Sequence, residues 1–168
     1  KSETFRTEMI EQLGELGLTA ISIPTEHGGA GLGFQEYACA IEEIASINTA
    51  YAISVAVTGL TQSILNQFGD EAQKKKYLPA LTSGAAIGAF SLSEPSSGSD
   101  AASLRTSAKR SGDKYVINGT KLWVTQGDVA ETFILMARTG EPGPKGISAF
   151  ILEKGMPGFC LLYTSPSP

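Results

Sequence analysis

Two short stretches hold the side chains from which chemistry could be built: AFSLSEPSSGSD, Ala89 to Asp100, and KLWVTQG, Lys121 to Gly127. In the first, Ser93-Glu94-Pro95 interrupts an apolar run, and Ser96-Ser97-Gly98-Ser99-Asp100 adds hydroxyls, an acid and a flexible glycine. A loop of that composition can turn several N–H groups and hydroxyls toward one anion, as phosphate-binding nests do. In the second, Trp123 and Thr125 stand at i and i+2, which on a strand puts them on one face. An indole plane beside a hydroxyl donor suits a flat heteroaromatic ring with a polar edge. The expected ligand is a nucleotide-like cofactor with a fused ring.

The elements around these stretches change character at residue 85. Phe5, Met9, Leu13 and Leu16 recur at helical spacing and predict a helix over Thr4 to Leu16, weakened by Gly14 and stopped by Gly17. Gln35 to Ile47 reads as a second helix with Tyr37, Ala40, Ile41 and Ile44 as its apolar stripe. Asn48 or Thr49 can cap a third, Ala50 to Phe68, which is apolar nearly all round and so expected to be buried on several sides. Gly69-Asp70 ends it and caps a fourth, Glu71 to Leu81. Beyond Thr82-Ser83-Gly84 the runs become β-rich: Ala86 to Ser93, Leu104 to Arg110, Tyr115 to Ile117, Thr120 to Thr125, Thr132 to Arg138 and Ile147 to Glu153. Ser111-Gly112-Asp113 turns the chain, and Asn118-Gly119 predicts a type I′ hairpin. Helices followed by closely spaced strands predict an α+β fold: an all-α unit over residues 1–84, then an antiparallel, barrel-like β unit over 85–159.

Composition narrows the function classes. In a chain of 168 residues, 42% apolar content supports a packed core, and a net charge of −4 argues against a nucleic-acid binder. Lys74-Lys75-Lys76 reads as the solvated face of a helix. Ala50 to Leu65 is broken by Ser54, Thr58, Gly59, Thr61, Gln62 and Ser63, so no run reaches the roughly 20 residues of a membrane span. Cys39 and Cys160 have no metal-type neighbours and make no disulfide framework, which favours a reducing compartment. His27, the one histidine, lacks both a nucleophile and a second ligand and is expected to be structural. The glycines of Gly28 to Gly33 follow no convincing buried strand and miss the full dinucleotide fingerprint, so they read as a tight loop. Lys1 to Gly14 is not a signal peptide, and without an initiator Met the chain reads as an excerpt.

In order and spacing, the two chemical stretches resemble the flavin-binding segments of the acyl-CoA dehydrogenase family, over about Phe5 to Phe159. The resemblance is carried by Leu92-Ser93-Glu94-Pro95 with Gly98-Ser99-Asp100, by Asn118-Gly119-Thr120-Lys121 leading into Trp123-Val124-Thr125, and by Lys145-Gly146-Ile147-Ser148-Ala149-Phe150. It implies FAD as cofactor. Phe90, Leu92 and Ser93 would line the isoalloxazine and ribityl region. Gly98 and Ser99 would contact the pyrophosphate, with Ser99 also meeting the thioester–pantetheine part of an acyl-CoA. Trp123 and Val124 would pack beside the flavin, and Thr125 would donate toward N5, which becomes electron-rich as hydride arrives.

Singly, Trp123 and Thr125 would be ordinary strand residues; their joint register with the 93–99 loop favours the cofactor reading. Ser96 and Ser97 are expected to be solvated loop hydroxyls. The resemblance further implies α,β-dehydrogenation of an acyl-CoA in fatty-acid or amino-acid breakdown, and an electron-transfer flavoprotein as acceptor. It implies a tetramer or dimer, in a bacterial cytoplasm or the mitochondrial matrix. The base would come from a C-terminal four-helix domain before which the chain is truncated, so no catalytic residue is assigned, Glu94 included. No metal is implied. After Phe159 the sequence departs from the family, and Cys160 to Pro168 is expected to be a non-native or disordered tail. An acyl-CoA oxidase on the same scaffold and a non-catalytic module that has lost its cofactor are the alternatives.

Overall fold

The computed structural model describes residues 5–162 of the chain. Thr4, the expected start of the first helix, and residues 163–168 of the tail lie outside that range. Four helices come first: α1 (Glu8–Glu15), α2 (Phe34–Ile47), α3 (Thr49–Phe68) and α4 (Glu71–Thr82). Their ends are set by local chemistry. Asn48 caps α3 by accepting the N–H groups of Ala50 at 3.0 Å and Tyr51 at 3.4 Å. At the start of α4, Asp70 and Gln73 exchange side-chain and backbone bonds at 2.8 and 3.0 Å, a reciprocal cap. Gly14 is tolerated inside α1 because a Cβ there would sit 2.0 Å from the Ser83 carbonyl oxygen just beyond α4.

Five strands form one sheet: β1 (Gly88–Ser91), β2 (Ser107–Ser111), β3 (Lys114–Asn118), β4 (Thr132–Arg138) and β5 (Ile147–Glu153). β4 is its centre. β5 pairs antiparallel along all of β4, while β1 runs parallel to Thr132–Leu135 and β2 meets Arg138 in parallel. Since a strand has only two edges, β1 and β2 share the edge of β4 opposite β5. The sheet is therefore mixed and open, where a wholly antiparallel, barrel-like unit is expected from the sequence. The long connection from β1 to β4 lets the chain return in the same direction, which a tight turn cannot do.

The expected Asn118-Gly119 hairpin does not form. Neither residue has a positive φ, β3 pairs only with β2, and residues 119–124 are not strand. The tight turn is Gly112-Asp113, between Ser111 and Lys114, with Gly112 at φ 64°. Gly119 answers a steric need instead, because a Cβ would meet the Thr106 hydroxyl at 2.3 Å.

Helices and strands share their cores. Ile10 of α1 and Val55 of α3 pack with Ile87, Ala89, Ala130 and Phe133. Leu65, Leu78 and Leu81 from α3 and α4 pack with Ile134 of β4. The face that α3 buries is polar as well as apolar: Ser54, Thr58, Thr61 and Gln62 are buried with Ala52, Val55 and Leu65, whereas Ile53 and Leu60 are exposed. The expectation that α3 is buried on several sides therefore fails among the described residues. The buried hydroxyls are satisfied by the sheet: Thr58 accepts the Gly88 N–H and Thr61 donates to the Ala89 carbonyl. These bonds seat α3 on β1, and β1 leads directly into the chemical stretch.

Candidate functional site

The segment after β1 and the segment after β3 are fastened side by side. Leu122 N–H donates to the Ser93 carbonyl at 2.8 Å, and Lys121 Nζ donates to the Leu92 carbonyl at 2.9 Å and to Glu94 Oε1 at 2.8 Å. Glu94 also accepts the N–H groups of Arg105 at 2.6 Å and Thr106 at 2.9 Å. Both side chains of the ion pair are withdrawn from solvent, Lys121 at 7% and Glu94 at 4% exposure. Burial pushes the Glu94 pKa up, but bonds from Lys121, Thr106 and the Arg105 backbone outweigh it and hold the carboxyl at about 2. Burial pulls the Lys121 pKa down against the opposing pull of Glu94. Glu94 is therefore an ionised clamp at neutral pH.

Among the described residues, Trp123 at φ 58° and Gln126 at φ 53° are the non-glycine residues in the left-handed region. The expected strand over Thr120 to Thr125 is replaced by this turn, so Trp123 and Thr125 do not share a strand face. The turn is closed by Gly127 N–H to the Val124 carbonyl at 3.1 Å and by Val129 and Ala130 N–H groups to the Gln126 carbonyl. It leaves the indole of Trp123 87% exposed, and Thr125 is exposed too. Gln126 turns inward. Its Nε2 donates to Thr58 Oγ1 at 3.0 Å and to the Gly88 carbonyl, and its Oε1 accepts from the Ser54 hydroxyl.

The predicted site residues divide into three groups. Leu92, Ser93, Trp123 and Thr125 belong to the two segments that Lys121 and Leu122 bring together. Gly98 and Ser99 lie at the exposed end of the loop, and a Cβ on Gly98 would meet nothing within 4 Å. Phe90 and Val124 are half-buried against the shared cores, Phe90 beside Leu65, Leu78, Leu81 and Ile134, and Val124 beside Ile87, Ala89 and Phe133. Ser97 is a correction. Instead of a solvated hydroxyl it is buried, bridging Glu94 through backbone bonds and donating from Oγ to the Asp100 carbonyl at 2.8 Å. This bridge shapes the loop and leaves Gly98 and Ser99 outermost.

Sequence reasoning assigns nothing to Lys121 or Gln126. The opposite charges of Glu94 and Lys121 in the two stretches are the available signal for the first, whereas Gln126 has none because its partners lie 68 and 72 residues away. A concavity of 540 Å³ along Gln35, Glu36, Cys39, Ala40 and Glu43 is an open depression on α2, and none of the residues of the two segments lines it.

Residues 1–85 match the family model of the acyl-CoA dehydrogenase N-terminal domain, and residues 89–166 match that of the middle domain. The chain belongs to the acyl-CoA dehydrogenase family. Over 156 residues it is 45% identical to mitochondrial isovaleryl-CoA dehydrogenase of Pongo abelii, covering 90% of this chain and 37% of that protein. It is similar in structure to butyryl-CoA dehydrogenase from Megasphaera elsdenii, with TM-score 0.86, 39% identity and coverage of 92% of this chain and 42% of the other. It is also similar to glutaryl-CoA dehydrogenase from Mycobacterium smegmatis in complex with FADH2, with TM-score 0.86, 32% identity and coverage of 93% and 39%. The chain thus spans about two-fifths of the length of the relatives it matches. The family's helical and sheet layers are the two seen here, joined through α3 and β1.

Proposed function

We propose that this chain forms the helical and sheet portion, residues 1–84 and 85–159, of an FAD-dependent enzyme that dehydrogenates an acyl-CoA thioester to the trans-2-enoyl-CoA. The observation that carries the reading is the turn at 123–126, which holds a large indole in the open beside a hydroxyl and follows directly on Lys121 and Leu122, the residues bonded to the Leu92–Glu94 segment. Trp123 belongs to none of the cores among the described residues, and an exposed indole in a left-handed backbone conformation suits the face of a flat ligand. The residues fit FAD. Trp123 gives a ring face, Thr125 and Ser93 give hydroxyls, and the loop end at Gly98 and Ser99 is open to a pyrophosphate. Bound flavin supplies the hydride acceptor.

The chain's own residues hold and orient. Lys121 and Glu94 fix the spacing of the two segments, Ser93 and Thr125 offer donors to the polar edge of the ring, and Ser99 meets the thioester–pantetheine end of the substrate. Glu94 is not the base: with a pKa of about 2 and all its bonds made, it has little affinity for an α-proton. The base, the electron-transfer flavoprotein acceptor and assembly into a dimer or tetramer belong to the full-length protein, in a bacterial cytoplasm or the mitochondrial matrix. The test is anaerobic titration of the purified full-length protein with short straight-chain and branched acyl-CoA esters. Bleaching of the flavin band with release of the enoyl-CoA is the expected result. A protein that stays colourless when supplied with FAD overturns the reading.

A further inference from the structure

Gln126 is an unusual residue for its conformation. At φ 53° it occupies the left-handed region, where short Asn and Asp side chains bond their own backbone but a longer Gln does not. Such a residue persists only where its surroundings over-determine it, and here they do. The Ser54 hydroxyl donates to Oε1, while Nε2 donates to Thr58 Oγ1 at 3.0 Å and to the Gly88 carbonyl. Ser54 and Thr58 stand one turn apart on α3 and are 3% and 0% exposed; Gly88 opens β1. The Gln126 carbonyl accepts from Val129 at 3.2 Å and Ala130 at 2.9 Å, so its backbone is held as firmly as its side chain. A primary amide suits this position because it accepts from one hydroxyl while donating to a second hydroxyl and to a carbonyl. A carboxylate would confront the Gly88 oxygen, and an aliphatic side chain would leave Ser54 and the carbonyl without partners.

We propose that Gln126 is a positioning residue: it sets how Trp123 and Thr125 face the flavin by fastening their turn to α3 and β1. The inference rests on the flavin reading above. A residue that only stabilised the fold would alter the melting temperature and nothing else. Gln126 alters the flavin itself, because it stands three residues after Trp123 and one after Thr125, and the turn that carries both is tied to α3 and β1 through its amide.

The experiment uses the full-length protein and the variants Q126L, Q126G and S54A, with three readouts: flavin dissociation constant, two-electron reduction potential and the visible spectrum of retained flavin. Q126G accepts the backbone angle without strain but has no amide, so it separates conformation from anchoring. Q126G and Q126L are expected to weaken flavin binding about tenfold, the size of one or two lost buried hydrogen bonds, and to displace both potential and spectrum. S54A leaves residue 126 in place and removes one bond, for an effect of about threefold in the same direction. Wild-type affinity, potential and spectrum in Q126G or Q126L overturn the proposal. If neither folds, S54A decides alone, and an unchanged S54A overturns it. A wild-type protein that takes up no flavin defeats the functional reading and this role together, a result distinct from unchanged variants of a yellow protein.

Discussion

Glu94 and Lys121 set a pH dependence. The folded-state pKa of Glu94, about 2, lies below its ordinary value of 4.5, so the carboxylate's contribution is fully present above pH 4.5 and is lost as pH falls toward 2. Urea unfolding across that range should show stability declining by on the order of 3 kcal/mol from this group. E94Q should flatten that portion of the profile. At neutral pH it should also cost about 3 kcal/mol, because Lys121 is left buried without its counter-charge. Trp123 makes the opposite kind of prediction. Being 87% exposed, it should tolerate W123A within about 0.5 kcal/mol of stability, where a core Trp would lose about 3–5 kcal/mol. Flavin affinity, measured by equilibrium dialysis, should fall in the same variant. A large stability loss with unchanged flavin binding would make Trp123 a packing residue.

Among the elements, α1 separates propensity from contact. Helix propensity alone says that G14A should stabilise α1 by about 1 kcal/mol. The added Cβ would lie 2.0 Å from a backbone oxygen of Ser83, and backbone cannot swing aside as a flexible side chain does. G14A is therefore expected to lower stability by more than about 2 kcal/mol, which thermal unfolding would register as a fall in Tm. At α4, D70A removes one side of a reciprocal cap and should cost about 1 kcal/mol. Helix α3 owes its placement to hydroxyls: Thr58 and Thr61 meet β1, and Ser54 with Thr58 meets Gln126. One helix thereby locates both the strand before the first chemical segment and the turn within the second.

For the whole molecule, the outer face of α3 is the telling surface. Ile53 and Leu60 lie at 47% and 42% exposure, with Phe68 at 73% at the end of α3 and Ile47 at 88% at the end of α2. Large apolar side chains gathered in this way mark contact surfaces in soluble proteins. The 168-residue chain produced alone should bind a hydrophobic dye and elute from size exclusion above its monomer mass. The double variant I53S/L60S should reduce both signals, since neither residue is part of the shared core. A dye-silent, monomeric wild-type chain would show that this face needs no cover.

The residue order by itself determined three of the helices to within one residue of their ends, the first more coarsely since it starts at Glu8 and not near Thr4, and the strands Thr132–Arg138 and Ile147–Glu153, because periodicity, capping residues and β-branched runs act over a few neighbours. It also carried the family's motifs, and with them the pairing of the 89–100 and 121–127 stretches. Tertiary contacts decided what lies across longer separations. They made β1 parallel to β4 and removed the hairpin expected at Asn118-Gly119, while the turn read at Ser111-Gly112-Asp113 formed as expected. They turned the expected Trp123 strand into a left-handed turn, buried Ser97, and gave Gln126 partners on α3. For β1 and for Gln126 the deciding bonds join residues that are distant in sequence, whereas Ser97 is held by Glu94 and Asp100, three residues away on either side. Local composition therefore fixes which segments form, while the direction, register and exposure of the site follow from the packing of α3 against the sheet.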